Sequence, residues 1–234
     1  MRLIAHACGP TIYPSNSILS AREALKKGAE MVELDLQFTS DQKLAVFHDA
    51  DLMKKFGDPR RCREVTSSEF LAMRRREDIA CPSHLLDHFF ESGIAPILIH
   101  LDQTTLEAAM DLVEEYNYLD RVYFGVTQVC SLVQIKKRFP QARVLGFIHG
   151  PEKIEEFAEN GVDFIRLWER WMIPDNIERV KKSGAELWVM TGGPGTNYRT
   201  GRPDREGLLR IAAMEPDGLL INDIPFAKSV LAER

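Results

Sequence analysis

A (β/α)8 barrel is the fold class this sequence predicts, and three observations predict it. From Pro96 onward, short apolar runs alternate with amphipathic segments at a steady period, and two strands nearer the N-terminus bring the parallel set to eight. No Gly-x-Gly-x-x-Gly follows the first strand, which argues against an open doubly wound sheet. Polar residues gather at the carboxyl ends of the strands, where a barrel builds its site.

Taken in order, Arg2-Leu3-Ile4-Ala5 is a short apolar strand that ends in His6 and is broken at once by Ala7-Cys8-Gly9-Pro10. A turn-rich loop leads to Ser17, which caps a helix running to about residue 27 before Gly28 stops it. In the next strand Glu33 and Asp35 alternate with Val32, Leu34 and Leu36, so both carboxylates share one face. Alone, such a pair is the wet face of an edge strand. Here a polar turn over 39–42 and the run Leu44-Ala45-Val46-Phe47 make a hairpin that ends in His48. A turn centred between Ser40 and Asp41 sets His48 opposite Glu33, on the same face.

Residues 49–93 break the rhythm and are expected to form an inserted subdomain or lid. Ser67-Ser68-Glu69 starts a helix there, residues 85–90 have helical spacing, and Arg74-Arg75-Arg76 is either a solvated helix face or a grip for phosphate. Strands follow over 97–101, 122–126, 144–148, 164–168, 187–191 and 219–222, separated by helices over 105–116, 129–139, 151–160, 175–183 and 204–214. Near the strand ends stand His6, Glu33, Asp35, His48, His100, Asp102, His149, Arg166, Trp168, Thr191, Asn222 and Asp223. Arg166 either clamps a phosphate or pairs with a carboxylate such as Glu33. Trp168 either stacks on a substrate or packs at the rim, and Gly192-Gly193-Pro194-Gly195 is either a backbone cradle for phosphate or a loop tip.

With 234 residues, 44% of them apolar, and no shift in composition, a single domain spanning 1–234 is expected. A net charge of −5 and a pI near 5.7 argue against a nucleic-acid partner. No secretory apolar core and no run long enough to span a bilayer is present, so a soluble, cytoplasmic chain without a transmembrane segment is expected. Cys8, Cys62, Cys81 and Cys130 form no Cys-x-x-Cys pair and read as free thiols, Cys8 as buried filler rather than a nucleophile.

Ile4-Ala5-His6, Pro14-x-Asn16-Ser17, Gly28-Ala29-Glu30-Met31-Val32-Glu33-Leu34-Asp35, Thr39-x-Asp41 and Val46-Phe47-His48-Asp49 together resemble the N-terminal signature of the glycerophosphodiester phosphodiesterase family. Asp217-Gly218-Leu219-Leu220-Ile221-Asn222-Asp223-Ile224-Pro225 resembles its closing strand. The resemblance implies a barrel with an insertion after the hairpin. It also implies a metal-dependent hydrolase that splits glycerophosphodiesters, or a related small phosphodiester, into an alcohol and a phosphomonoester. His6 and His48 would be the acid and base, and Glu33 and Asp35 ligands of Mg²⁺ or Ca²⁺.

Three positions depart from the family pattern. Ala7 stands where the family has arginine, Ser15 where it has glutamate, and His100 and Asp102 where it has an acidic ligand and a lysine. His100 as third ligand widens the choice of ion to Mn²⁺ or Zn²⁺, with Asp102 as the alternative ligand. Arg166 and Trp168 are the candidates for substrate binding in place of the missing cations. Two alternatives remain open: a catalytically impaired barrel that binds a phosphorylated ligand, and a lyase that forms a cyclic phosphate.

Overall fold

The computed structural model describes residues 1–73 and 81–233, so Arg74-Arg75-Arg76 lies outside the described residues. Its strands are β1 (Arg2–Ala5), β2 (Met31–Phe38), β3 (Leu44–Val46), β4 (Ile97–Leu101), β5 (Val122–Val126), β6 (Arg143–Gly146), β7 (Phe164–Trp168), β8 (Glu186–Met190) and β9 (Gly218–Ile221). Eight of them run parallel in the order β1-β9-β8-β7-β6-β5-β4-β2, and pairing of β1 with β2 closes the cylinder. The fold is a (β/α)8 barrel. The upper half of β2 leaves the barrel ladder and takes β3 as an antiparallel partner.

The helices are α1 (Ile18–Lys26), α2 (Met53–Phe56), α3 (Ser67–Ala72), α4 (Leu86–Glu91), α5 (Leu106–Glu115), α6 (Val129–Arg138), α7 (Ile154–Glu159), α8 (Pro174–Ser183), α9 (Arg205–Ala212) and α10 (Ile224–Leu231). The Ser17 hydroxyl accepts from the Ser20 amide and starts α1, as the sequence predicts. Helix α10 was not expected. It begins because the Asp223 carboxylate accepts from the Phe226 amide and Pro225 sits in the first turn, a start signal that directly abuts the closing strand.

Alternation along the strands sorts side chains into two layers. Val32, Leu34, Ile97, Ile99, Leu219 and Ile221 face outward against the helices. Ile4, Met31, Leu98, Leu145, Phe164, Trp188 and Leu220 face inward and fill the barrel with an apolar plug. Gly125 has no side chain because the Phe147 ring occupies its place: a Cβ there would lie 2.2 Å from that ring.

Between β3 and β4, Leu52, Cys62, Val65, Phe70 and Leu85 pack with Ala45 and Phe47 of the hairpin in a separate apolar cluster. This insertion is built on the hairpin itself.

The hairpin register corrects one expectation. Leu36 pairs with Val46 and Phe38 with Leu44, so an ideal ladder would set Glu33 opposite Asp49 and His48 opposite Leu34. The turn is one residue longer than predicted because Gln42 adopts a left-handed conformation, φ 60°. Such a slip moves a residue to the other face, and His48 still reaches the mouth because β3 ends at Val46. Gln37 fixes this exit, its side-chain amide donating to the carbonyls of His48 and Asp49.

Two outcomes test this fold. Trp188 is fully buried, so Trp188→Ala should cost about 3–5 kcal/mol in urea denaturation. Asp41 accepts from the Ser67 hydroxyl, the Thr39 hydroxyl and the Ser67 amide, which hold its carboxyl below the ordinary range. A carboxylate depressed in the fold stabilises above its unfolded value of about 4, and that contribution is lost as pH falls below it. Asp41→Asn should flatten this acid limb in denaturation curves taken at successive pH values.

Candidate active site

Continued toward the carboxyl ends, the inward face of the strands changes from apolar to polar. Above Ile4 comes His6, above Met31 come Glu33 and Asp35, above Leu98 comes His100, above Phe164 comes Arg166, and above Leu220 comes Asn222. The same period of two that fills the plug therefore lays a polar layer on it.

Glu33 and Asp35 are both buried, and their carboxylates lie with a His100 ring nitrogen in a group whose ligand atoms are all within 4.8 Å of one another. The Ala7 amide donates to Glu33 Oε2 at 2.7 Å. Ala7 and Cys8 hold left-handed backbones, φ 47° and 66°, and this turn aims the Ala7 amide into the barrel. Asp35 Oδ2 accepts from the Asn16 amide at 3.0 Å, while Oδ1 lies 3.3 Å from His100 Nδ1.

Burial, reinforced by the neighbouring Asp35 charge, pushes Glu33 well above the ordinary carboxylate range. Burial opposes ionisation of Asp35 too, but the hydrogen bond and charge of His100, with His48 and His6 nearby, hold it low. Of the pair, Glu33 is thus the one biased toward its neutral form and Asp35 toward its charged form. Two adjacent buried acids and an imidazole, with no lysine or arginine among the described residues bonded to them, suit a divalent cation.

The two histidines occupy different surroundings. His6 Nδ1 is 2.7 Å from Asn222 Oδ1, and the Asn222 amide nitrogen points to the Thr200 carbonyl at 3.4 Å. That chain of bonds makes Nδ1 the donor and leaves the lone pair on Nε2. Burial lowers the His6 pKa, outweighing the charge of Asp35. For His48, burial is overcome by Asp35, by the hydrogen bond from Nδ1 to Asp49 at 3.0 Å and by Glu33, and its pKa is raised.

Arg166 is buried, its Nε and Nη1 without hydrogen-bond partners among the described residues, and its guanidinium carbon lies 4.5 Å from the Trp168 ring and 5.2 Å from Phe147. Burial lowers its pKa to about 9 against the pull of Glu33, so it stays charged at neutral pH. Trp168 packs at the rim over Gly193, where a Cβ would come within 2.6 Å of the indole. The Gly-rich loop is no open cradle: Gly192 donates to Glu169 and Gly193 to Tyr198.

Asp102 does not join the triad, because β4 ends at Leu101 and the Asp102 carboxylate turns back to accept from Thr104 and Thr105. Asn16, which grips Asp35, was not singled out as a site residue from sequence, and Asn222, which grips His6, was placed only as a residue lining the mouth near a strand end. Their signal was present in the Pro-x-Asn motif and in the polar end of the last strand.

Residues 6–122, half of the chain, match the model of the Glycerophosphoryl diester phosphodiesterase family. The chain belongs to this family. It is a glycerophosphodiester phosphodiesterase-like hydrolase. A glycerophosphodiester phosphodiesterase of Caldanaerobacter subterraneus is 24% identical over 212 residues, spanning 81% of this chain and 84% of the relative. The fold is shared with a glycerophosphodiester phosphodiesterase from Agrobacterium tumefaciens, at TM-score 0.78 and 21% identity, covering 97% of this chain and 99% of that one. It is shared also with an Oleispira antarctica phosphodiesterase solved with the product sn-glycerol-3-phosphate, at TM-score 0.82 and 15% identity, covering 99% and 97%. Among the described residues, no helix is long and apolar enough to cross a membrane.

For a family member with this carboxylate pair, added divalent ion should raise the melting temperature, and Asp35→Asn should abolish the shift. Because binding displaces the Glu33 proton, the affinity read by calorimetry should rise with pH through the neutral range.

Proposed function

We propose that this chain hydrolyses glycerophosphodiesters, or a closely related small phosphodiester, to an alcohol and a phosphomonoester. The observation that carries the reading is the single polar layer in which His6, Glu33, Asp35 and His100 meet above the apolar plug of a barrel of this family. The sn-glycerol-3-phosphate bound by the Oleispira antarctica enzyme is the kind of monoester such a reaction releases.

Glu33, Asp35 and His100 would hold the ion. The two carboxylates suit Mg²⁺ or Ca²⁺, and the imidazole extends the choice to Mn²⁺ and Zn²⁺. When bound, the ion supplies positive charge against that building on the phosphoryl oxygens. Arg166 adds a second cation. Its two unpartnered buried N–H groups each leave about 1–3 kcal/mol of desolvation uncompensated, which a phosphate oxygen offsets. It takes over the charge that Ala7 lacks.

His6, with its lone pair on Nε2 and a lowered pKa, takes the proton of the attacking water. His48, with a raised pKa and Asp49 behind it, gives its proton to the departing alkoxide. The bond from phosphorus to the leaving oxygen breaks as the bond to the water oxygen forms. Trp168 walls the substrate pocket beside Arg166. We also read 1–234 as one domain, and its four unbridged cysteines accord with a cytoplasmic setting.

His6→Ala and His48→Ala should each reduce kcat by about 10²–10⁴-fold on a glycerophosphodiester. Full activity in both would refute the assignment. Activity requires His6 neutral and His48 protonated, so kcat/KM should fall below the lowered His6 value and above the raised His48 value, bracketing about pH 6.5. Product analysis by ³¹P NMR should show a monoester, and a cyclic phosphate would replace water by internal attack.

A further inference from the structure

A groove of about 790 Å³ leaves the polar layer beside Asp35, His48 and His100 and runs under the insertion to Arg61 and Arg63. Between those arginines Cys62 is fully buried in the small apolar cluster, so a short 3-10 turn, Cys62–Glu64, is anchored at its first residue, with Arg61 and Arg63 on either side of the anchor lining the groove. Elsewhere on the surface Arg60, Arg138, Arg179 and Arg205 hold carboxylates. Among the described residues, Arg61 and Arg63 hold none. The groove's own acids are already engaged, Asp102 by Thr104 and Thr105, Asp35 by Asn16 and His100. In a protein of net charge −5, two guanidiniums without a carboxylate partner line a groove opening beside His48.

We propose that Arg61 and Arg63 recognise a second anionic group, a phosphate or carboxylate, carried by the leaving alcohol of the diester. This rests on the hydrolase reading above, in which His48 protonates that alcohol and the groove beyond His48 receives it. A guanidinium forks onto either anion with paired hydrogen bonds, and choline in the same place would meet like charge.

The test compares four diesters at fixed salt and metal: glycerophosphoinositol phosphate, glycerophosphoserine, neutral glycerophosphoglycerol and glycerophosphocholine. For the wild type, kcat/KM should be about tenfold higher for the inositol phosphate diester than for the neutral one, with choline lowest. Arg61→Gln/Arg63→Gln should bring the anionic-to-neutral ratio near one, and Arg61→Glu/Arg63→Glu should turn the preference toward choline. A preference confined to glycerophosphoserine assigns the arginines to a carboxylate instead of a phosphate. An unchanged ranking in both double variants overturns the proposal. Calorimetry with free inositol phosphate separates this from the hydrolase reading. Binding weakened about tenfold by the Gln pair, in a protein that turns over none of the four diesters, keeps the arginine pocket and refutes hydrolysis. Equal binding by wild type and variant refutes the pocket.

Discussion

Two carboxylates buried side by side are the constraint that the rest of this molecule accommodates. Burial in low dielectric disfavours each charge and proximity disfavours both together, so Glu33 and Asp35 persist only with partners. The chain supplies those partners from four separate places: the Ala7 amide, the Asn16 amide, the His100 ring and the distant field of Arg166. None of these four is a bonded lysine or arginine, a donor set that suits a divalent cation. The left-handed backbone at Ala7 and Cys8 is part of the same accommodation, since it turns an amide toward Glu33 at a conformational cost of about 1–3 kcal/mol per residue.

Ala7 and Asp102 stand where the family pattern has arginine and lysine, which leaves fewer cations at the ends of β1 and β4. In the function proposed here Arg166 makes up that charge. Arg166 comes from the opposite wall of the barrel, held between Phe147 and Trp168, and Phe147 has room only because Gly125 lacks a side chain.

Much of this was legible in the sequence because it depends on period alone. The strand count, the inward face of Glu33 and Asp35, and the placement of His6, His100 and Arg166 at strand ends all follow from alternation, and β4, β5 and β7 fall where apolar runs place them. What was not legible depends on where a strand stops. Register in the hairpin hinges on a left-handed Gln42 that no pattern marks, and His48 reaches the mouth only because β3 ends two residues earlier. Asp102 keeps the parity of a ligand but not its place, since β4 gives way to a turn that consumes its carboxylate. Asn222 was seen as a lining residue, and its bond to His6 spans 216 residues, a contact that only closure of the cylinder creates.

That closing contact also bears on synthesis. Glu33 and Asp35 are synthesised well before Asn222, yet the His6 imidazole acquires its fixed tautomer only once Asn222 is in place. A growing chain therefore carries both buried carboxylates long before it carries an oriented His6 ring. The orientation of that ring waits on the docking of β9 against β1.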